Sequence, residues 1–123
     1  MLQQAALVAL GAAIGGVLRW GMSVAWPNEG FPWPTFAVNL VGSLLLGVLA
    51  AYMAKEMVNK DLALALGTGV LGAFTTMSTF SVETVQLFEK GANSTAITYL
   101  LLTFILCPLL AFVGWGVGNT ISS

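Results

Sequence analysis

The sequence predicts an all-α membrane protein, a single domain of four transmembrane helices with the third helix broken midway. Three observations predict it. The 123 residues are 58% hydrophobic and only 7% charged, where a soluble domain carries about a quarter charged residues. The apolar residues fall into four blocks divided by short polar stretches. Each block has roughly the 20 residues that a helix needs to cross a hydrocarbon core of about 30 Å. Inside the third block lies TTMSTF, Thr75 to Phe80, which sets four hydroxyl side chains where a plain span would carry Leu and Val.

The elements follow from the punctuation. The first span runs from Leu2 to Trp26. MLQQAAL at its start has no basic run, which predicts a retained span rather than a cleaved signal peptide. PNEGFPWP (Pro27–Pro34) ends it, and the second span covers Thr35 to Ala54. KEMVNKD (Lys55–Asp61) precedes a third span, Leu62 to Phe88, and EKGANS (Glu89–Ser94) a fourth, Thr95 to Val117. Backbone amides in lipid must be satisfied within the segment, which makes each block a helix; the alternating ten-residue strands of a membrane barrel are absent. Trp20, Trp26 and Trp33 gather near the first loop, as an interfacial aromatic belt does. Gly11 with Gly15, Ser43 with Gly47, Gly69 with Ala73 and Gly114 with Gly118 stand four apart. Small residues at that spacing let helix backbones approach closely and predict a compact bundle.

An even number of spans puts both termini on one side. Lys55 and Lys60 fall on that side, Lys90 and Arg19 on the other. Orientation follows an imbalance of Lys and Arg across the membrane, and two against two supplies none. The chain is therefore expected to insert in both senses, and two opposed copies to form an antiparallel dimer.

The third span is about 27 residues, longer than a crossing requires, and holds five hydroxyls between Thr75 and Ser81. One or two such side chains bond back to carbonyls a turn earlier and leave a helix intact. Five predict a helix broken at bilayer depth, its freed carbonyls and hydroxyls lining a wet site. Two more polar groups lie within spans. Asn39 offers two amide donors, either for an interhelical hydrogen bond or for the same site. Glu83 shares a helix face with Phe80; an intramembrane acid is a functional candidate by default, although pairing with hydroxyls would also account for it. Arg19, the one cation within a span, either snorkels to the interface or sets a positive charge at an aqueous entrance.

Catalysis is not indicated: the chain has no His, no ligand cluster for a metal and no base beside a nucleophile other than Glu83. No basic patch points to nucleic acid. A lone Cys107 excludes an internal disulfide and reads as a small apolar filler. Donors without full charge suit the passage of a small anion.

Three stretches then carry a resemblance: GGVLR (Gly15–Arg19), TFAVNLVGS (Thr35–Ser43) and GAFTTMSTFSVET (Gly72–Thr84). With the four spans they resemble the Fluc, or CrcB-type, fluoride channels. The resemblance implies an antiparallel homodimer with two pores that exports fluoride passively from a bacterial cell through its inner membrane. It implies a central structural Na+ held by carbonyls of both subunits, here those of Gly72 and Thr75. It implies a pore in which Phe80 turns a ring edge to the anion, beside a polar track of Ser78, Thr79, Thr35 and Asn39; the residues read above add Arg19 in a vestibule and Glu83 as a further pore-linked candidate. Where the family pattern has a first Phe, this chain has Met77; a thioether lacks the positive ring edge. Cys107-Pro108 stands where the family often has a small or hydroxyl residue in span four.

The chemistry agrees with that resemblance. Fluoride holds its hydration shell tightly, so a pore must replace water with donors that do not bind it too strongly. Hydroxyls, an amide and ring edges meet that need, and a midplane Lys would trap the ion. A small proton-coupled multidrug exporter is the alternative, but it needs a carboxylate in span one, where this chain has no Asp or Glu. A holin-like lytic protein would need neither Asn39 nor the hydroxyl run.

Overall fold

The computed structural model describes residues 1–123. All of the regular secondary structure is helical. Helix α1 spans Leu2–Ala25 and α2 spans Trp33–Ala54. The third segment is composite. Helix α3 (Lys60–Ala63) runs on into a π-helical stretch, Leu64–Leu71, and then α4 (Gly72–Phe74); Thr75 and Thr76 are extended, and α5 (Met77–Glu89) resumes the helix. Helix α6 covers Asn93–Ile121. Four segments are long and apolar enough to cross a membrane: Leu2–Ala25, Trp33–Ala54, Lys60–Glu89 and Asn93–Ile121. The chain is a multi-pass membrane protein.

Local chemistry sets the ends. Pro34 lies in the first turn of α2, where its missing N–H costs nothing. The side chain of Asn59 caps α3 by accepting from the Leu62 N–H at 2.8 Å, so the third segment starts slightly before the first apolar residue. Helix α5 closes at Gly91, whose φ of +80° is a left-handed conformation that glycine adopts readily.

Two helix pairs make the bundle, α1 against the π-helical stretch with α4, and α2 against α6. Glycines set both contacts. A Cβ on Gly11 would meet the carbonyl of Ala65, and one on Gly15 that of Val70. In the other pair, Gly47 lies against Ala111, and Gly114 against the Leu44 carbonyl. Gly16 and Gly116 have nothing within 4 Å of that position. The π-helical turns, which the spacing of apolar residues did not indicate, carry the Ala65 and Val70 carbonyls that pack on α1. Gly114→Ala is expected to destabilise the bundle by about 1–3 kcal/mol, because extra volume here meets backbone rather than a flexible side chain. Gly116→Ala serves as the control, with a change within about 0.5 kcal/mol; heating in detergent followed by gel filtration checks the pair.

Only 22 of 123 residues are buried, so most of the apolar surface faces outward, toward lipid or another protein. The buried cluster comprises Phe36, Phe80, Leu87, Ala96 and Tyr99. It joins α2, α5 and α6 beside the interrupted segment. The first loop folds over its end: Phe31 lies edge-on to Phe36 and Tyr99, both at 5.3 Å between ring centres. Trp26 stacks on Trp33 at 6.1 Å.

Candidate functional site: the interrupted third helix

At Thr75 the backbone leaves the helical region (φ −85°, ψ 156°), and Thr76 is fully extended (φ −153°, ψ 118°). Asn39 on α2 holds the opened backbone. Its Oδ1 accepts from the Thr76 N–H at 2.9 Å, and its Nδ2 donates to the Thr76 carbonyl at 3.2 Å. One amide side chain thus engages both the N–H and the carbonyl of Thr76. Gly42, one turn further along α2, supplies the room, since a Cβ there would overlap the methyl of Thr75. Thr76 then caps α5 by accepting from the Thr79 N–H at 3.1 Å.

These bonds redirect donors. In an unbroken helix the Thr76 N–H would serve the Gly72 carbonyl, and the Thr79 N–H that of Thr75. The first goes to Asn39 and the second to the Thr76 hydroxyl. Gly72 and Thr75, the two residues to which the family resemblance assigns carbonyl ligands, therefore both lose their helical donors, which fits a pair of oxygens open to a hard cation. Ala73 is treated differently: Arg19 Nε donates to its carbonyl at 3.0 Å. Arg19 thus reaches across from α1 to the edge of the interruption.

Two cavities flank Thr76. One, about 350 Å³, is polar and lined by Arg19, Asn28, Thr35, Thr76, Thr79 and Glu83. Within it Thr35 donates to Glu83 Oε2 at 2.9 Å. From α6, Tyr99 donates to Glu83 Oε1 at 2.8 Å. Both carboxyl oxygens are engaged by hydroxyls. The second cavity, about 360 Å³, is lined by Asn39, Thr76, Met77, Phe80, Thr103 and Cys107, among others. Phe80 is 5% exposed and meets the Tyr99 ring edgewise at 4.9 Å. Several donors stay uncommitted. Asn39 has a second amide hydrogen. The Thr79 hydroxyl accepts from Thr76, leaving its own hydrogen. The Thr103 oxygen is buried with no partner.

The candidate residues divide accordingly. Arg19, Thr35, Thr79 and Glu83 share the polar cavity. Asn39, Thr75, Met77 and Phe80 line the other. Ser78 lies in neither; it opens with Thr79, Glu83, Gln86 and Asn28 onto a shallow outer recess. Met77 is 64% exposed, outside the body of the chain, and Gly72 is exposed on the same segment. Sequence reasoning missed Tyr99 and Thr103. Their signal was present: Tyr99, Thr103 and Cys107 stand four apart, so they lie on one face of α6, and that face meets Glu83 and the second cavity.

Comparisons with known proteins bear on the family of the chain. A family profile described as "CrcB-like protein, Camphor Resistance (CrcB)" matches residues 6–115. The "Fluoride-specific ion channel FluC" of Agrobacterium fabrum is 43% identical over 122 residues, covering 94% of this chain and 96% of that relative. The protein of the same name from Novosphingobium aromaticivorans is 50% identical over 99 residues, 76% of this chain and 79% of its own length. A third, from Thermus thermophilus, is 40% identical over 119 residues, 94% and 93% of the two chains. With a profile that runs from α1 into α6 and relatives matched over most of their length, the chain belongs to the CrcB-like family.

Proposed function

We propose that this protein is a fluoride-selective channel, not an enzyme, which lets F⁻ leave the cell passively. The observation that carries the reading is the interruption at Thr75–Thr76, held open by Asn39 and flanked by uncommitted neutral donors. Such a path replaces the hydration of a small anion without trapping it. Helix of similar length precedes and follows the interruption in the third segment, which supports a position at bilayer depth. Arg19 draws anions into the polar cavity, and its bond to Ala73 fixes it at the entrance rather than on the path. Asn39 and Thr79 supply donors, Thr35 and Ser78 extend the polar track on either side with hydroxyls bonded to Glu83 and Thr76, and Phe80 supplies its positive ring edge. Glu83 orients the Thr35 and Tyr99 hydroxyls. An inside-negative potential drives export at about 2.3 kcal/mol per charge per 100 mV, so no coupling group is needed.

The working unit is an antiparallel homodimer with two pores in the bacterial inner membrane. The balanced distribution of Lys and Arg and the exposed apolar surface support it. At its centre a structural Na+ would be held by the Gly72 and Thr75 carbonyls of both subunits. The ion would supply a fixed positive charge that ties the two interrupted helices together. The test is fluoride efflux from liposomes in potassium salts, followed with a fluoride electrode after valinomycin is added. Fluoride is expected to leave without a proton gradient while chloride is retained; no efflux, or efflux only under a proton gradient, contradicts the reading.

Two further outcomes follow. Met77→Phe restores an aromatic edge at a lipid- or partner-facing position and is expected to keep or raise fluoride flux, by up to about tenfold; arrested flux would assign Met77 a role outside the family pattern. Adding two lysines beside Lys55 tips the charge balance toward one orientation. Growth of a fluoride-sensitive bacterium expressing that variant should become at least severalfold more sensitive to fluoride, and coexpression with a variant biased the opposite way should restore it.

A further inference from the structure

We propose that Phe104 on α6 is a second anion-facing ring of the pathway, which turns its positive edge to fluoride in the second cavity and helps to set the preference for fluoride over chloride. This rests on the channel reading and adds a residue to it. No Lys or Arg lines the cavity of about 360 Å³, so an anion there has to be met by neutral groups that have a positive side. The wall that α6 contributes consists of Thr103, Phe104, Cys107 and Pro108. Proline has no N–H to offer, and a thiol is a weak donor. The hydroxyl oxygen of Thr103 is enclosed. The ring of Phe104 remains, and the edge of such a ring carries positive potential.

The geometry fits that role. Phe80 and Phe104 are the two aromatic residues in the lining. Their ring centres stand 6.3 Å apart and their planes meet at 84°. Phe80 is also packed edgewise on Tyr99 at 4.9 Å and is 5% exposed, which fixes its ring. Phe104 is 57% exposed, so more of its ring is free to meet an ion. Two planes at this angle intersect along one line. An ion touching both edges lies on that line, so the pair fixes its position more closely than one ring does. A larger halide holds its charge further from each edge and gains less from it.

The test places pentafluorophenylalanine in the full chain. Phe104→pentafluorophenylalanine keeps the ring and nearly its size but reverses the sign of its edge. Fluoride efflux from liposomes is expected to fall at least about tenfold, and Phe104→Leu, which removes the ring, to lower it comparably. The same replacement at Phe112, which is 76% exposed and lines neither cavity beside Thr76, should leave efflux within about twofold. Unchanged efflux after Phe104→pentafluorophenylalanine would overturn the proposal, because a ring that only fills space tolerates that exchange. A second measurement does not rest on the activity of any variant. In nanodiscs, with phenylalanine rings isotopically labelled, the Phe104 ring resonance is identified by its loss in Phe104→Leu. In the unaltered chain it should shift saturably as fluoride is added and stay in place with chloride. A resonance that ignores fluoride, or moves equally with both halides, would also overturn the proposal. Because the ring reports binding and not transport, failure of the channel reading (no efflux from the unaltered chain) is told apart from failure of this assignment (normal efflux with a silent ring).

Discussion

Phe80→Ile is expected to lower fluoride efflux at least 100-fold while the protein still purifies as the same oligomer. The ring is the one aromatic edge that this chain retains from the family pair, and it lines the cavity next to Asn39. Isoleucine keeps an apolar side chain but has no quadrupole, so the positive edge is lost. Some stability goes with it. Phe80 is 5% exposed and packs edgewise on Tyr99 and Phe104. A smaller side chain leaves a partial cavity, costing about 1–3 kcal/mol. Gel filtration and a melting curve separate the two effects. Intact protein with full efflux would remove Phe80 from the pathway, whereas intact protein without efflux assigns it to conduction.

Asn39→Ala should be comparably severe for a different reason. The asparagine satisfies both the N–H and the carbonyl of Thr76. Removing it takes the protein partner from two half-buried backbone groups, at up to about 1–3 kcal/mol each where water does not replace it. The third helix then has an incentive to close, with the Thr76 N–H returning to the Gly72 carbonyl. Efflux is expected to fall at least 50-fold. Asn39→Asp separates structure from conduction: it can still accept from the Thr76 N–H but loses the donor to the Thr76 carbonyl and places negative charge beside the path. It should fold better than the alanine variant and conduct no better. Efflux from liposomes, set against melting temperature, checks both; an aspartate variant that conducts normally would exclude Asn39 as a donor to the anion.

The four helices were legible because lipid imposes a single rule, a long apolar block with internal hydrogen bonds, and the polar stretches at Pro27–Pro34, Lys55–Asp61 and Glu89–Ser94 interrupt it plainly. The glycines announced close packing, but the partner of each depended on how the helices pair. Gly114 and Gly118 meet α2, while Gly16 and Gly116 meet nothing. Hydropathy is nearly blind to a π-helical turn. A change from four-residue to five-residue bonding leaves the apolar content the same, so Leu64–Leu71 read as ordinary helix. The hydroxyl run drew attention to Thr75–Ser81, but not to the division of labour within it. Thr75 bonds back to Leu71, Thr76 caps α5, and Thr79 keeps a free hydrogen. Those roles follow from two backbone torsions and from Asn39, which lies 37 residues from Thr76 in sequence. Tyr99 and Thr103 were passed over because single hydroxyls in a span are common. Only their placement against Glu83 and the second cavity gives them weight.

The central claim is that the third helix opens within the bilayer and presents neutral donors to fluoride. Nuclear magnetic resonance of the isotopically labelled chain in lipid nanodiscs tests it most directly, through the Asn39 side-chain amide and the backbone amides of Thr76 and Thr79. The account predicts that these signals shift saturably as fluoride is added, remain in place with chloride, and move while a mid-helix amide such as that of Val48 does not. Identical shifts with both halides, or none with fluoride, would contradict it.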